Sequence, residues 1–97
     1  MEHSDEKGIY LNARDNFGRT VLIWACNDRK AQVVKLLLDN YKTKNIDVDA
    51  RDNQGDAAIS RAMKLRINGI LDLFADYHQR RMKEKFLQKN NIYFSHL

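Results

Sequence analysis

The sequence predicts an all-α helix-turn-helix solenoid with short β-hairpin fingers and a C-terminal capping helix. Three observations predict it: an internal repeat at a shift of 37 residues, apolar positions at helical spacing inside each repeat, and the absence of proline from 97 residues. The repeat weighs most, because self-similarity at a fixed period decides the fold class before any single element is assigned. Ala13-Arg14-Asp15-Asn16-Phe17-Gly18 recurs as Ala50-Arg51-Asp52-Asn53-Gln54-Gly55. The register continues through Leu22/Ile59, Ala25/Ala62, Val33/Ile70, Val34/Leu71, Leu36/Leu73 and Asp39/Asp76.

Each element follows from local chemistry. In the first unit Thr20 is placed to cap a helix running to about Asn27, with Val21, Leu22, Ala25 and Cys26 on its inner side. Asn27-Asp28-Arg29-Lys30 is a polar break. A second helix from about Ala31 to Asn40 carries Val33, Val34, Leu36, Leu37 and Leu38 around more than half its circumference, so it needs cover on two sides. The register places Leu36 and Leu71 between helix layers. In the second unit the helices fall at about Ala57 to Leu65 and Asn68 to Tyr77, with Ile59, Ala62, Met63, Ile70, Leu71, Leu73 and Phe74 inward. Ile46-Asp47-Val48-Asp49-Ala50 alternates like one arm of a hairpin, and Gly8-Ile9-Tyr10-Leu11-Asn12 is the same arm for the first unit. The organisation expected is a flank at 1–8, two repeats at about 9–45 and 46–78, and a basic tail at 79–97.

Two repeats leave a deficit, since a solenoid usually needs three or more to bury its apolar faces. Gln79 to Lys89 holds no helix breaker, and Met82, Phe86 and Leu87 share one side of a helix whose other side carries Arg80, Arg81, Lys83 and Lys85. A third helix is expected here, packing Met82 and Phe86 near Ile70, Leu73 and Phe74, with Ile92, Tyr93 and Phe94 continuing the contact or frayed.

Composition narrows the function. The hydrophobic fraction of 43% builds one modest core, and no apolar run is long enough to span a membrane. A single cysteine, Cys26, forms no internal disulfide, and the acidic start of the chain is unlike a secretory signal, so cytoplasm or nucleus is the expected compartment. The net charge of +4 lies in the tail. Residues 1–78 hold 12 Lys+Arg and 12 Asp+Glu, while 79–97 hold five against Glu84 alone. Those cations read as the solvated face of the cap, with a nuclear address or a nucleic-acid contact as alternatives.

No residue pattern in the chain points to reactive chemistry. Cys26 sits in a small-residue stripe and reads as a buried structural thiol. His3, His78 and His96 lack metal-ligand spacing, and Gly18 and Gly55 are single turn glycines rather than a phosphate loop. Asp47, Asp49, Asp52 and Asp56 cluster near one hairpin, but no Glu stands at the twelfth position of a calcium loop. No cofactor, no metal and no catalysis are expected.

The pattern resembles the ankyrin repeat, a β-turn followed by two antiparallel helices. Asp15-Asn16-Phe17-Gly18-Arg19-Thr20-Val21-Leu22-Ile23-Trp24-Ala25 follows that family's D-x-x-G-x-T-P-L-H-x-A, with Val21 and Ile23 in place of Pro and His. The second unit is degenerate, keeping Asp52, Gly55, Ile59 and Ala62, and the four residues beyond the usual period fall in Tyr41 to Asn45. Arg29 and Arg66 stand where the family favours Gly, so a left-handed turn there is strained by about 1 kcal/mol or replaced by another turn.

The resemblance implies a non-catalytic protein-interaction module that binds another protein through its concave face and fingertips. Its variable positions fall on Asn16, Phe17, Arg19, Asn27 and Asp28 in the first unit and on Asn53, Gln54, Asp56, Lys64 and Leu65 in the second. Phe17 is the best anchor among them. Trp24 reads equally as an anchor or as packing between inner helices. The alternatives are a nucleic-acid-binding accessory acting through the tail, though a nucleic-acid partner is disfavoured, and a regulatory or oligomerisation subunit, including a homodimer through an exposed repeat end.

Overall fold

The computed structural model describes residues 11–94, with side chains described from 11 to 86. Four helices follow in order: α1 Val21–Asn27, α2 Ala31–Asp39, α3 Ala58–Lys64 and α4 Asn68–Phe94. Each unit is an antiparallel pair, α1 with α2 and α3 with α4. Across the units α3 packs on α1 and α4 on α2, giving an inner and an outer layer. His3, His96, the flank at 1–8 and the Gly8 to Tyr10 part of the first arm lie outside the described residues.

The shift of 37 residues holds at the level of single torsions. Thr20 caps α1, its hydroxyl accepting from the Ile23 amide. Both first helices end in the same way: the Lys30 amide donates to Ala25 O and the Arg29 amide to Cys26 O, while Ile67 and Arg66 donate to Ala62 and Met63. This pair of bonds closes a helix only when the residue after the cap is left-handed. Arg29 at φ 59° and Arg66 at φ 56° accept that conformation, so the left-handed turn is retained without glycine.

One contiguous core runs through both units. It contains Leu22, Ile23, Ala25, Cys26, Val34, Leu37 and Leu38 from the first unit and Ala58, Ala62, Ile70, Phe74 and Tyr77 from the second. Ala25, Ala58 and Ala62 are fully covered, and their small side chains let α1 and α3 lie close. Cys26 is buried, and loss of hydration pushes its thiol up to about 12, which keeps it protonated.

Several expectations need correction. The fingers contain no strand among the described residues; one antiparallel bridge, Arg51 with Ala57, is all that forms. Ile46, Val48 and Ala50 are nevertheless buried and Asp47 and Asp49 exposed, so the alternation marks a segment whose apolar side faces the core. The tail is not a separate third helix. Nothing between Asp76 and Lys89 stops α4, which runs for 27 residues, roughly 40 Å at 1.5 Å per residue. A single rod cannot fold its far end onto its own start, so Met82 (70% exposed) and the exposed Phe86 do not cover Ile70, Leu73 or Phe74. The side chains of Ile92, Tyr93 and Phe94 lie outside those described.

The extended α4 is braced from the side instead. Tyr41 donates its hydroxyl to Glu84 Oε1 at 2.6 Å and stacks edge-on against Tyr77 at 4.9 Å, and the Arg81 guanidinium sits 5.7 and 5.8 Å from the two ring centres. Arg80 reaches Asp39 on α2 at 3.3 Å. The Tyr41 bond holds the Glu84 carboxyl below its ordinary value and raises the Tyr41 phenol.

Leu36 is also corrected. Val34, Leu37 and Leu38 form the buried stripe of α2, and Leu36 points away from it at 63% exposure; Leu71 is half-buried against the core. Truncation should separate the buried Leu38 from the exposed Leu36. Leu38→Ala is expected to cost about 2 to 5 kcal/mol in urea unfolding, enough to unfold much of so small a domain. Leu36→Ala should stay within about 0.5 kcal/mol.

Candidate partner-binding surface

The two fingertips are built alike, each by an aspartate. Asp15 Oδ1 accepts from the amides of Phe17 and Arg19, both at 2.9 Å, and Asp52 Oδ1 accepts from those of Gln54 and Asp56 at 2.9 and 2.8 Å. These turns bring Gly18 to φ 76° and Gly55 to φ 84°. Donation from the Arg19 amide and then from that of Phe17 holds the Asp15 carboxyl below its ordinary range.

Hydrogen bonds then tie finger to finger. The Asn53 amide donates to Phe17 O at 2.9 Å and its Nδ2 to Asn16 O at 3.1 Å. Arg14 donates to Gly18 O and to Arg51 O, and Asn12 donates to Asn45 O while accepting from the Asp47 amide, both at 2.8 Å. The fit is tightest at Gly18, where a Cβ would lie 2.3 Å from Asn53 Oδ1.

On this frame a groove of about 260 Å³ opens between the fingertips and the inner helices, lined by Phe17, Arg19, Asp52, Asn53, Gln54 and Arg61. Phe17 is 65% exposed, with the Arg19 guanidinium 4.6 Å from its ring centre. Arg19 is itself oriented by Asp15 Oδ2 at 3.1 Å. A shallower concavity of about 430 Å³ shares Arg19 and reaches Trp24 through Ala13, Arg14, Asp15, Thr20 and Val21.

Of the residues proposed from sequence, Phe17, Arg19, Asn53 and Gln54 meet in the groove, and Trp24 borders the neighbouring concavity as an exposed indole on α1. Asn16 and Asp28 are exposed but line neither. Asn27 receives Arg61 Nη2 at 2.6 Å across the units. Asp56 is buried and held by Lys64, whose Nζ lies 2.9 Å from both carboxylate oxygens, and by Arg61 at 3.4 Å. Leu65 is half-buried at the end of α3. Arg61 was missed by sequence reasoning. It is the 37-residue equivalent of Trp24, so the repeat register is the signal that points to it.

A family model described as ankyrin repeats (3 copies) matches residues 3–83. The chain belongs to the ankyrin-repeat family. Among curated proteins it is similar to an ankyrin repeat protein of Acanthamoeba polyphaga mimivirus, at 34% identity over 67 residues. That alignment takes in 69% of this ankyrin chain and 9% of the viral relative. No solved structure matches the chain. Ankyrin repeats generally mediate protein–protein interaction, and the family is typically a non-enzymatic scaffold. Among the described residues no helix is long and apolar enough to cross a membrane, and no group of three or more His, Cys, Asp or Glu could hold a metal ion.

Two measurements check this geometry. Gly18→Ala and Gly55→Ala share the cost of a left-handed alanine, but only Gly18 also meets Asn53, while Gly55 faces open space. Gly18→Ala should therefore lower stability by more than about 1 kcal/mol and by clearly more than Gly55→Ala in parallel urea titrations. Asp56 titrates below its ordinary value because of Lys64 first and Arg61 second. A depressed carboxylate stabilises the fold above its unfolded value near 3.8 and loses that contribution as pH falls through its folded value. Asp56→Asn should lower the melting temperature at pH 7 and flatten its fall between about pH 5 and pH 2.

Proposed function

We propose that this ankyrin chain is a non-catalytic interaction module that takes a segment of another protein into the groove between the fingertips and inner helices. The observation that carries the reading is Phe17. An aromatic ring at a turn tip, mostly in solvent and under a guanidinium that Asp15 holds in place, gains little for folding. Aromatic and arginine side chains of this kind are the common energetic centres of interfaces. Asn53 and Gln54 supply amide donors and acceptors along the same groove, and Arg61 closes its far wall.

The tail supports a nucleic-acid role less well. Arg80 is engaged by Asp39 and Asp76, and Arg81 by Tyr77, so two of its cations are already held within the fold. Phosphate contacts would make affinity fall steeply with salt, whereas an aromatic-anchored protein contact responds weakly.

Capture of partners from cell extract, followed by titration with the captured protein, tests the reading. Phe17→Ala should weaken binding at least tenfold, about 1.4 kcal/mol, with the far-ultraviolet circular dichroism unchanged. Equal affinity for the wild type and the variant would place the contact elsewhere.

A further inference from the structure

The repeat allows every position to be compared with its equivalent 37 residues away, and the two ends of the stack differ systematically. On the side of unit one that faces unit two, Leu22, Cys26 and Leu38 are at most 1% exposed. Their equivalents Ile59, Met63 and Ala75 are half-buried, 59% exposed and exposed. On the opposite side the order reverses. Ala58, Ile70 and Tyr77 of unit two are buried and Leu73 half-buried, while Val21, Val33 and Asn40 of unit one are half-buried and Leu36 is exposed. The Met63 end thus occupies the place of the surface that unit one buries and the Leu36 end the place of the surface that unit two buries, apolar at most positions but with Asn40 for Tyr77 and Ala75 for Leu38.

We infer that a second copy of this chain seats its Leu36 end on the Met63 end of the first, stacking head to tail in the register of the internal seam. The occupant follows from that seam, where Val33, Val21 and Leu36 have their counterparts Ile70, Ala58 and Leu73 already packed against unit one. The polar pair at the rim changes on both sides together. Arg61 meets Asn27 inside the chain at 2.6 Å. In the stacked copy Trp24 stands at the Arg61 position and Lys64 at the Asn27 position, so the indole lies along the apolar stem of a lysine whose ammonium stays on Asp56. The surfaces joined are different, so the contact is heterologous and leaves one free end of each kind, able to add further copies. This goes beyond the partner-binding groove, which lies on the fingertips and stays open in such a stack.

Sedimentation velocity of the chain over a range from micromolar upward, with Met63→Glu and Leu36→Glu, tests it. Both positions are exposed in the single chain, so helical circular dichroism should be retained; Met63→Lys and Leu36→Lys replace a glutamate variant that loses it. The wild type should gain mass with concentration, and each variant alone should remain a monomer at concentrations at least tenfold higher. A one-to-one mixture should form a dimer and nothing larger, because each variant supplies the end that the other lacks. A wild type that stays monomeric, a Leu36→Glu variant that still dimerises by itself through the Met63 end, or a mixture that stays monomeric would each overturn the inference.

Discussion

The seam between the two units is the constraint on which the rest of this chain depends. Neither helix pair has enough apolar surface on one side to make a core alone, and the covered set Leu22, Cys26, Val34, Leu38, Ala58, Ile70, Phe74 and Tyr77 exists only where the units meet. Alanines on the inner layer and rings on the outer layer divide the work. Ala25, Ala58 and Ala62 keep α1 and α3 close, while Phe74 and Tyr77 fill the wider space on the α4 side. The fingers inherit this spacing. Asn53 reaches Phe17 O and Asn16 O because the helices beneath hold the two turns one repeat apart, and Gly18 is needed where they touch. The groove at Phe17 is a consequence of that separation.

The loop that lengthens the repeat and the helix that outruns it form one device. Tyr41 belongs to the segment beyond the usual period, and its ring and hydroxyl are what α4 leans on through Tyr77, Arg81 and Glu84. Charge is redistributed in the process. The +4 of the sequence sits on the tail, and the brace exchanges charge in both directions: Arg80 of the tail pairs with Asp39 of the first unit, while Glu84, the tail's single acid, is drawn to Tyr41 and Lys42. A charge count describes the average field; these contacts decide how much of it faces a partner.

What the sequence discloses follows from what a periodic pattern encodes. The shift of 37 marks both helix pairs, while the Thr20 cap and the burial of Cys26 are read from the first unit's own residues, because caps and inward stripes are local. Phe17 stands out for the same reason, an aromatic where the turn needs none, and it is exposed on the groove. Leu36 and Met63 were misjudged because apolarity marks a face that packs in an ideal stack, and only the count of neighbours tells which faces are covered. The running-on of α4 was hidden because a helix end needs a stop signal and none exists; two helices were read where one continues. Asp56 looked like a surface carboxylate, since its partner Lys64 lies eight residues on, across a turn of structure that periodicity does not measure.

The two units share the centre of their core and differ at their outward ends and at the fingers. Ala25 and Ala62, or Leu37 and Phe74, are equivalent in position and in burial. At the finger, Arg19 in the first unit is replaced by Asp56 in the second, a reversal of charge at one backbone geometry. The aspartate turns inward, draws Lys64 and Arg61 to itself and becomes part of the fold. Arg19 instead swings to the Asp15 carboxylate beside it and stays half-buried, its guanidinium over the Phe17 ring. Two identical turns therefore hold different things: the second sets its aspartate on Lys64 and Arg61 while Asn53 and Gln54 line the groove, and the first leaves Phe17 exposed with the Arg19 guanidinium over its ring.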